Sequence, residues 1–263
     1  MHVAHTIVIA TLAAGFILLP APVRAEEPLI PKDMRYIGQG GSVMGLDKEE
    51  PVESGKKLTR HEKHLKAPWS LEAFRDEGPA HMVFLDSYLM DTYEVSNKDY
   101  GEFVTVNGHP APAYWDYPRL NKPQQPVVGV NWEDAKSFCE YRGKRLPTEA
   151  EWEKAARGPE GNLYPWGNAF DPAKVNYGNN HDATMPVDSY PEGASYYGLY
   201  NMAGNAFEWV SDWYDPRYYG RLETMVNPTG PTTPAWVGGT GTYVDRQALG
   251  AKRVIRGGSW VAP

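Results

Sequence analysis

The chain of 263 residues contains a single cysteine, Cys139. One thiol cannot form an internal disulfide, and a paired-cysteine metal site is excluded with it. Positive charge is scarce: 26 Lys and Arg stand against 33 Asp and Glu, a formal net charge of −7. That balance argues against nucleic acid or an anionic membrane surface as partner. Long apolar runs are also missing beyond Ile7 to Leu19. This run falls short of the roughly 20 residues a spanning helix needs, and Pro20 and Pro22 follow it. With Val23 and Ala25 offering small residues to a signal peptidase, residues 1–25 read as a signal peptide cleaved before Glu26. No cysteine stands at the cleavage position, which argues against a lipoprotein. The expectation is a periplasmic or secreted protein with no membrane span after cleavage.

What the sequence does have is turn chemistry and aromatic bulk. Twenty-six Gly and 23 Pro favour irregular structure over long helices, and 9 Trp with 17 Tyr supply a core. Residues 35–45 suggest a short strand and turn. Residues 47–76 are charged and lack apolar periodicity, so they read as an exposed loop whose His61 and His64 are surface histidines. Three helices announce themselves by their caps. Ser96-Asn97-Lys98-Asp99 opens the first, with Tyr100, Phe103 and Val104 at helical spacing. Asn131-Trp132-Glu133-Asp134 opens the second, which is expected to bury Trp132, Ala135, Phe138 and Cys139 and to stop at Gly143. Thr148-Glu149-Ala150-Glu151 is a capping box opening the third, with Gly158 as a left-handed cap at its end. Residues 82–85, 88–90 and 253–256 read as strands. The fold class is α+β with few helices and much ordered loop.

Several motifs follow one another along the chain: Val43-Met44-Gly45; Asp76-Glu77-Gly78-Pro79-Ala80-His81; Tyr93-Glu94-Val95-Ser96-Asn97 with Tyr100; Gln125-Pro126-Val127-Val128-Gly129-Val130-Asn131-Trp132; Gly143-Lys144-Arg145-Leu146-Pro147-Thr148-Glu149-Ala150-Glu151-Trp152-Glu153; Tyr164-Pro165-Trp166-Gly167-Asn168; Gly198-Leu199-Tyr200-Asn201-Met202-Ala203-Gly204-Asn205-Ala206-Phe207-Glu208-Trp209; and Arg256-Gly257-Gly258-Ser259-Trp260. This series resembles the formylglycine-generating-enzyme, or sulfatase-modifying-factor, family. The resemblance implies one irregular, C-type-lectin-like domain over residues 26–263, continued in the family by a few dozen residues beyond Gly-Gly-Ser-Trp.

The resemblance also implies metal chemistry. Family positions matching Asn201, Gly204, Ala206 and Glu208 bind calcium, and a second calcium site maps to Asn176 and Tyr177, with Asp182 as its carboxylate. Mixed amide, carbonyl and carboxylate oxygens are what calcium takes. The bare residue reading leaves an alternative: a turn held by Asn and Glu hydrogen bonds to backbone. The family's oxidases use two cysteines that bind copper(I), a soft ion suited to thiolates. The first falls three residues after the serine of Gly-Gly-Ser, and Ala262 stands there. Copper is therefore not expected, and no catalytic residue is assigned. The reading is a non-catalytic accessory or binding protein with structural calcium and a periplasmic protein, such as a redox enzyme, as partner. A formylglycine-generating-type oxidase acting on protein cysteine and a lectin-like glycan-binding module are the alternatives.

Overall fold

The structure, a computed structural model, describes residues 30–47, 76–221, 224–235 and 251–262. The expected signal peptide, the two histidines His61 and His64 and nearly all of the charged stretch 47–76 lie outside these residues. Among the described residues no helix is long and apolar enough to cross a membrane.

Among the described residues six short strands pair as three separate antiparallel ribbons. Strand β1 (Met34–Ile37) pairs with β4 (Tyr88–Asp91), and β2 (Gly40–Met44) pairs with β3 (His81–Leu85). Strand β5 (Glu208–Trp213) pairs with β6 (Arg253–Arg256) across an irregularity between Trp209 and Trp213. The mixed α+β class with extensive loop agrees with the sequence reading. The segment expected as one strand and turn over residues 35–45 is two strands.

Three helices follow the caps. In α1 (Asn97–Asn107), the Ser96 side chain accepts the Asp99 amide. Both α2 (Trp132–Tyr141) and α3 (Glu149–Arg157) open with complete capping boxes, at Asn131/Asp134 and Thr148/Glu151. Each box satisfies two amides that the first helical turn leaves without partners. Gly158 has φ 71° but ψ −179°, so it leaves α3 into an extended path instead of forming the expected left-handed cap.

Helix α3 is the centre of the molecule. Trp152, Ala155 and Ala156 pack with Ile37, Leu199, Met202, Val210 and Val254, while Ala150 packs with Met44, Val83, Leu85 and Tyr219. A third cluster joins Tyr100 and Phe103 of α1 to Phe138 of α2. The buried Lys154 ammonium donates to the carbonyls of Gly38 and Gly40, fixing the bend between β1 and β2 to α3.

The polar face of α3 is buried too. The Arg256 guanidinium, from β6, bonds Glu77 at 2.8 Å and Glu153 at 2.7 Å and lies 3.5 Å from Glu149. Arg157 also bonds Glu153 and gives a second proton to the Gly45 carbonyl. Tyr219 donates toward Glu149 and Glu153. Burial, and next the opposing pull of Arg256, set the Glu149 carboxyl, which is pushed up to about 8. This network ties β6 and residue 77 to α3. The arginine of the Arg-Gly-Gly-Ser motif is thus structural.

Helix α2 departs from expectation. Of Trp132, Ala135, Phe138 and Cys139, only Phe138 is buried; the others are half-exposed. For Ala135 and Cys139 the reason is a groove of about 450 Å³ that runs along this face, lined by Ala135, Phe138 and Cys139 on one side and by all of β4 on another.

Candidate functional site

The loop between residues 199 and 208 begins at Leu199, which is fully buried. Asn201 and Asn205 adopt left-handed backbone, at φ 56° and 70°. Asparagine tolerates that region far better than branched or bulky residues do. Gly204 is required by proximity: a Cβ there would meet the Asn176 carbonyl at 2.5 Å and Val175 Cγ2 at 2.6 Å. The turn therefore sits directly on the loop that carries Asn176.

Glu94, between β4 and α1, inserts its carboxylate into this turn. One oxygen accepts the Ala206 amide at 3.1 Å; the other accepts Asn201 Nδ2 at 2.9 Å and Asn205 Nδ2 at 2.7 Å. Glu208, the first residue of β5, accepts Trp152 Nε1 at 2.7 Å. Burial pushes the Glu208 carboxyl up to about 7. Glu94 is driven well above the carboxylate range by burial first and by the Glu208 charge second. Two half-buried carboxylates thus lie close enough to repel, and among the described residues no ion pair reaches either.

Asn205 joins this turn to the second candidate loop. It is fully buried, and its side chain donates to Glu94 and the Met185 carbonyl while accepting from Asn176 Nδ2 and the Met185 amide. Its backbone exchanges with Asn176 and Trp260. Asn176, at 1% exposure, spends Nδ2 on Asn205 and the Ala183 carbonyl, and its Oδ1 has no partner. A buried amide oxygen left without a partner costs on the order of 1–3 kcal/mol, a cost that a bound water or cation there would relieve.

The sequence-selected residues fall into two groups accordingly. Asn201, Gly204, Ala206 and Glu208 lie in one turn, and Asn176 abuts it. Tyr177 offers its carbonyl to the Asn180 amide and packs its ring edge-on against Phe170. Asp182 is exposed, at φ 55°, with its carboxylate accepting Asn179 Nδ2. Among the described residues no three His, Cys, Asp or Glu side chains converge, so any cation here relies on amide and carbonyl oxygens as well as carboxylate. Glu94 and Asn205 are the residues that sequence reasoning missed as site members. Both lie within the quoted motifs, but their partners are up to 112 residues distant.

The carboxyl-terminal stretch lies against the same loop. The Trp260 and Ala262 carbonyls accept the Asn179 and Gly178 amides, each at 2.7 Å. Ala262 thus sits beside the Asn176 loop, whereas Cys139 is on α2 in the wall of the groove. Burial pushes the Cys139 thiol up to about 11, so it is protonated at neutral pH.

Comparison with known proteins agrees with this architecture. Residues 34–263 match the family described as the sulfatase-modifying factor enzyme 1-like domain. The formylglycine-generating enzyme of Bos taurus is 30% identical over 300 residues, an alignment covering 92% of this chain and 69% of that protein. The serine/threonine-protein kinase pkn1 of Chlamydia caviae is 35% identical over 210 residues, covering 73% of this chain but only 31% of the kinase. Among solved structures, PvdO from Pseudomonas aeruginosa superimposes with a TM-score of 0.62 at 23% identity, covering 89% of this chain and 85% of that one. That likeness concerns the fold. On the family match and the extent of the bovine alignment, this chain belongs to the formylglycine-generating-enzyme, or sulfatase-modifying-factor, family.

Proposed function

We propose that this protein is a non-oxidase member of its family, a calcium-stabilised binding or accessory protein that works outside the cytoplasm on a protein partner such as a redox enzyme. The observation that carries the reading is that Ala262 stands where the resemblance places the first of the two copper(I) thiolates. Ala262 has no ligating atom in its side chain. The chain's one thiol belongs to a different element and is held protonated by burial. Copper(I) takes soft thiolates, so these residues do not fit it. Anaerobic titration of the purified protein with copper(I) against a chromogenic chelator tests this. The expected result is no stoichiometric uptake, and no oxygen consumption when a cysteine-containing sulfatase peptide is added. Tight one-to-one uptake coupled to oxygen consumption would refute it.

Calcium does fit. The donor set is all oxygen, and among the described residues the Glu94–Glu208 pair has no counter-charge and Asn176 Oδ1 no partner. In this reading Asn201, Gly204, Ala206 and Glu208 hold one ion through side-chain and backbone oxygens. Asn176, with Tyr177 and Asp182, contributes to a second. The ion would neutralise the two half-buried carboxylates and lock the turn that presents Phe207. Calcium at about 100 times its dissociation constant should stabilise the fold by about 2.7 kcal/mol. Thermal melts in calcium and in chelator should therefore differ by several degrees for the wild type and by less for Glu208→Gln, which loses one of the two ions. Identical wild-type melts in both would exclude a structural calcium.

A further inference from the structure

Trp132 is half-exposed for a different reason from its neighbours on α2: it borders a second cavity, of about 560 Å³. This cavity lies between α2, the bend joining β3 to β4, residues 145–151, residues 227–229 and β6. None of the residues proposed to hold calcium lines it. From β6 comes Arg253, whose guanidinium carbon lies 3.7 Å from the Trp132 ring centre and 3.4 Å from that of Trp213. Two indoles this close to one carbon atom must occupy its opposite faces. Each attracts the cation through the negative face of its ring. With both faces covered, a further partner can reach the guanidinium only in its own plane, along its N–H edges. Nη1 donates to the Ser211 carbonyl at 2.6 Å, and among the described residues no other hydrogen bond or ion pair reaches the group.

Arg253 is short of counter-charge. Burial is the leading influence on it and pulls its pKa down, while Glu133 and Asp212 oppose that from a distance, neither as an ion pair. Asp212 spends its carboxylate on the Glu149 amide and the Ser211 hydroxyl. The other two cations in the lining are already matched, Lys136 with Glu140 and Arg145 with Glu151, each at 2.7 Å. Asp86, which is exposed, accepts the side-chain amide of Asn227 and pairs with no cation among the described residues. Three cations thus stand against three acids, and the lining carries no net charge. A single negative charge finds Arg253; the second charge of a phosphate or sulfate finds no free cation and meets Asp86. The floor is apolar, with Leu85, Leu146 and Pro228 buried, and the hydroxyls of Ser87 and Thr229 stand at the rim. Sites for small molecules have this size and this mixture of apolar walls with a few orienting polar groups.

We propose that this cavity binds a small organic acid, its one carboxylate lying in the plane of the Arg253 guanidinium and its apolar body resting on Leu85, Leu146 and Pro228. A planar carboxylate matches the fixed fork of N–H groups along a guanidinium edge. The two indoles supply what a lone surface arginine lacks. Stacked between them, the side chain is already immobilised, so less freedom is lost when the ligand arrives. Asp86 adds selectivity by repelling a second negative charge. This site goes beyond the function proposed above and does not rest on it. A cavity that takes no acid leaves the calcium and non-oxidase readings standing, and their failure leaves this one intact.

The test titrates isotope-labelled protein and follows the Arg253 Nε–H and Trp132 indole N–H resonances. Butyrate is the probe, butyramide its uncharged match and sulfate the dianion, all at equal ionic strength. Butyrate should move both resonances saturably in the millimolar range, as one charge-assisted pair allows, and butyramide should move neither. Sulfate should bind about tenfold more weakly or worse, for want of a second free cation. Asp86→Asn should tighten butyrate about twofold or more, because it removes the acid in the lining that no cation offsets. Arg253→Met should abolish binding. If loss of the stack keeps that variant from folding, the contrast between butyrate and butyramide on the wild type decides alone. No saturable movement with butyrate at tens of millimolar overturns the proposal, and is what an arginine that merely braces two tryptophans would give. Equal movement with butyramide also overturns it, as does sulfate binding as tightly as butyrate.

Discussion

Replacing Arg256 by Met removes the one cation shared by the buried carboxylates of Glu149 and Glu153 and the half-buried one of Glu77. Glu77 and Glu153 lose their hydrogen bonds at 2.8 and 2.7 Å, and Glu149 loses a charge 3.5 Å away. Breaking a buried ion pair by deleting one partner costs about 3–5 kcal/mol, because the remaining charge stays desolvated. For a domain of this size about 1 kcal/mol corresponds to roughly 2–4 °C, so the melting temperature should fall by about 10 °C. The loss should depend on pH in a definite direction. Glu77 and Glu149 are already raised by burial. An acid whose folded value lies above its unfolded value contributes stability that is full at low pH and lost as pH rises. Without Arg256 both carboxyls rise further, so the variant should be hurt more at pH 8 than at pH 5.5. Circular-dichroism melts at the two pH values measure this. A shift below about 2 °C, or an equal shift at both, would refute the account of Arg256 as the keystone of a buried network. Arg256→Lys should recover only part of the loss, since an ammonium cannot fork between Glu77 and Glu153.

Three further expectations follow from the same geometry. Glu149→Gln should stabilise the protein at pH 8 and above and do little below pH 4.5, because the neutral amide mimics the protonated acid across the window from 4.5 to about 8; chemical denaturation at several pH values checks this. Cys139 should react with iodoacetamide slowly at pH 7, and the rate should climb about tenfold per pH unit toward pH 10, since the thiol is pushed up to about 11; a flat profile would contradict its burial. Gly204→Ala should destabilise by about 2 kcal/mol or more, as its Cβ would clash with the Asn176 carbonyl, and Ala203→Gly in the same turn should cost far less in parallel denaturant titrations.

The local chemistry of this fold was legible in the chain. Ser96, Asn131 and Thr148 cap their helices because a cap is settled within four residues. Non-local pairing was not. Nothing near Glu94 announces that it will accept protons from residues 201, 205 and 206. The ribbons β1–β4 and β5–β6 likewise join segments whose separation hides their register. The expectation for α2 failed in an instructive way. Periodicity assigned Ala135 and Cys139 to a covered face, correctly identifying them as apolar-facing. It could not know that the facing surface is a groove and not a packed neighbour. Similarly, glycine at position 158 signalled a positive φ, but the following path depends on what the chain meets next.

Asn205 makes six hydrogen bonds beyond its own turn, and they bind stretches of polypeptide that arrive from four different places in the sequence. Loops without regular ladders normally fray one at a time. Here a single amide makes them one cooperative body: loosening the approach to residue 176, 185 or 260 removes a contact that the others also use. Whatever seats itself at one of these loops is therefore felt at its neighbours with equal and reciprocal energy, which gives an otherwise irregular surface a means of acting as a unit.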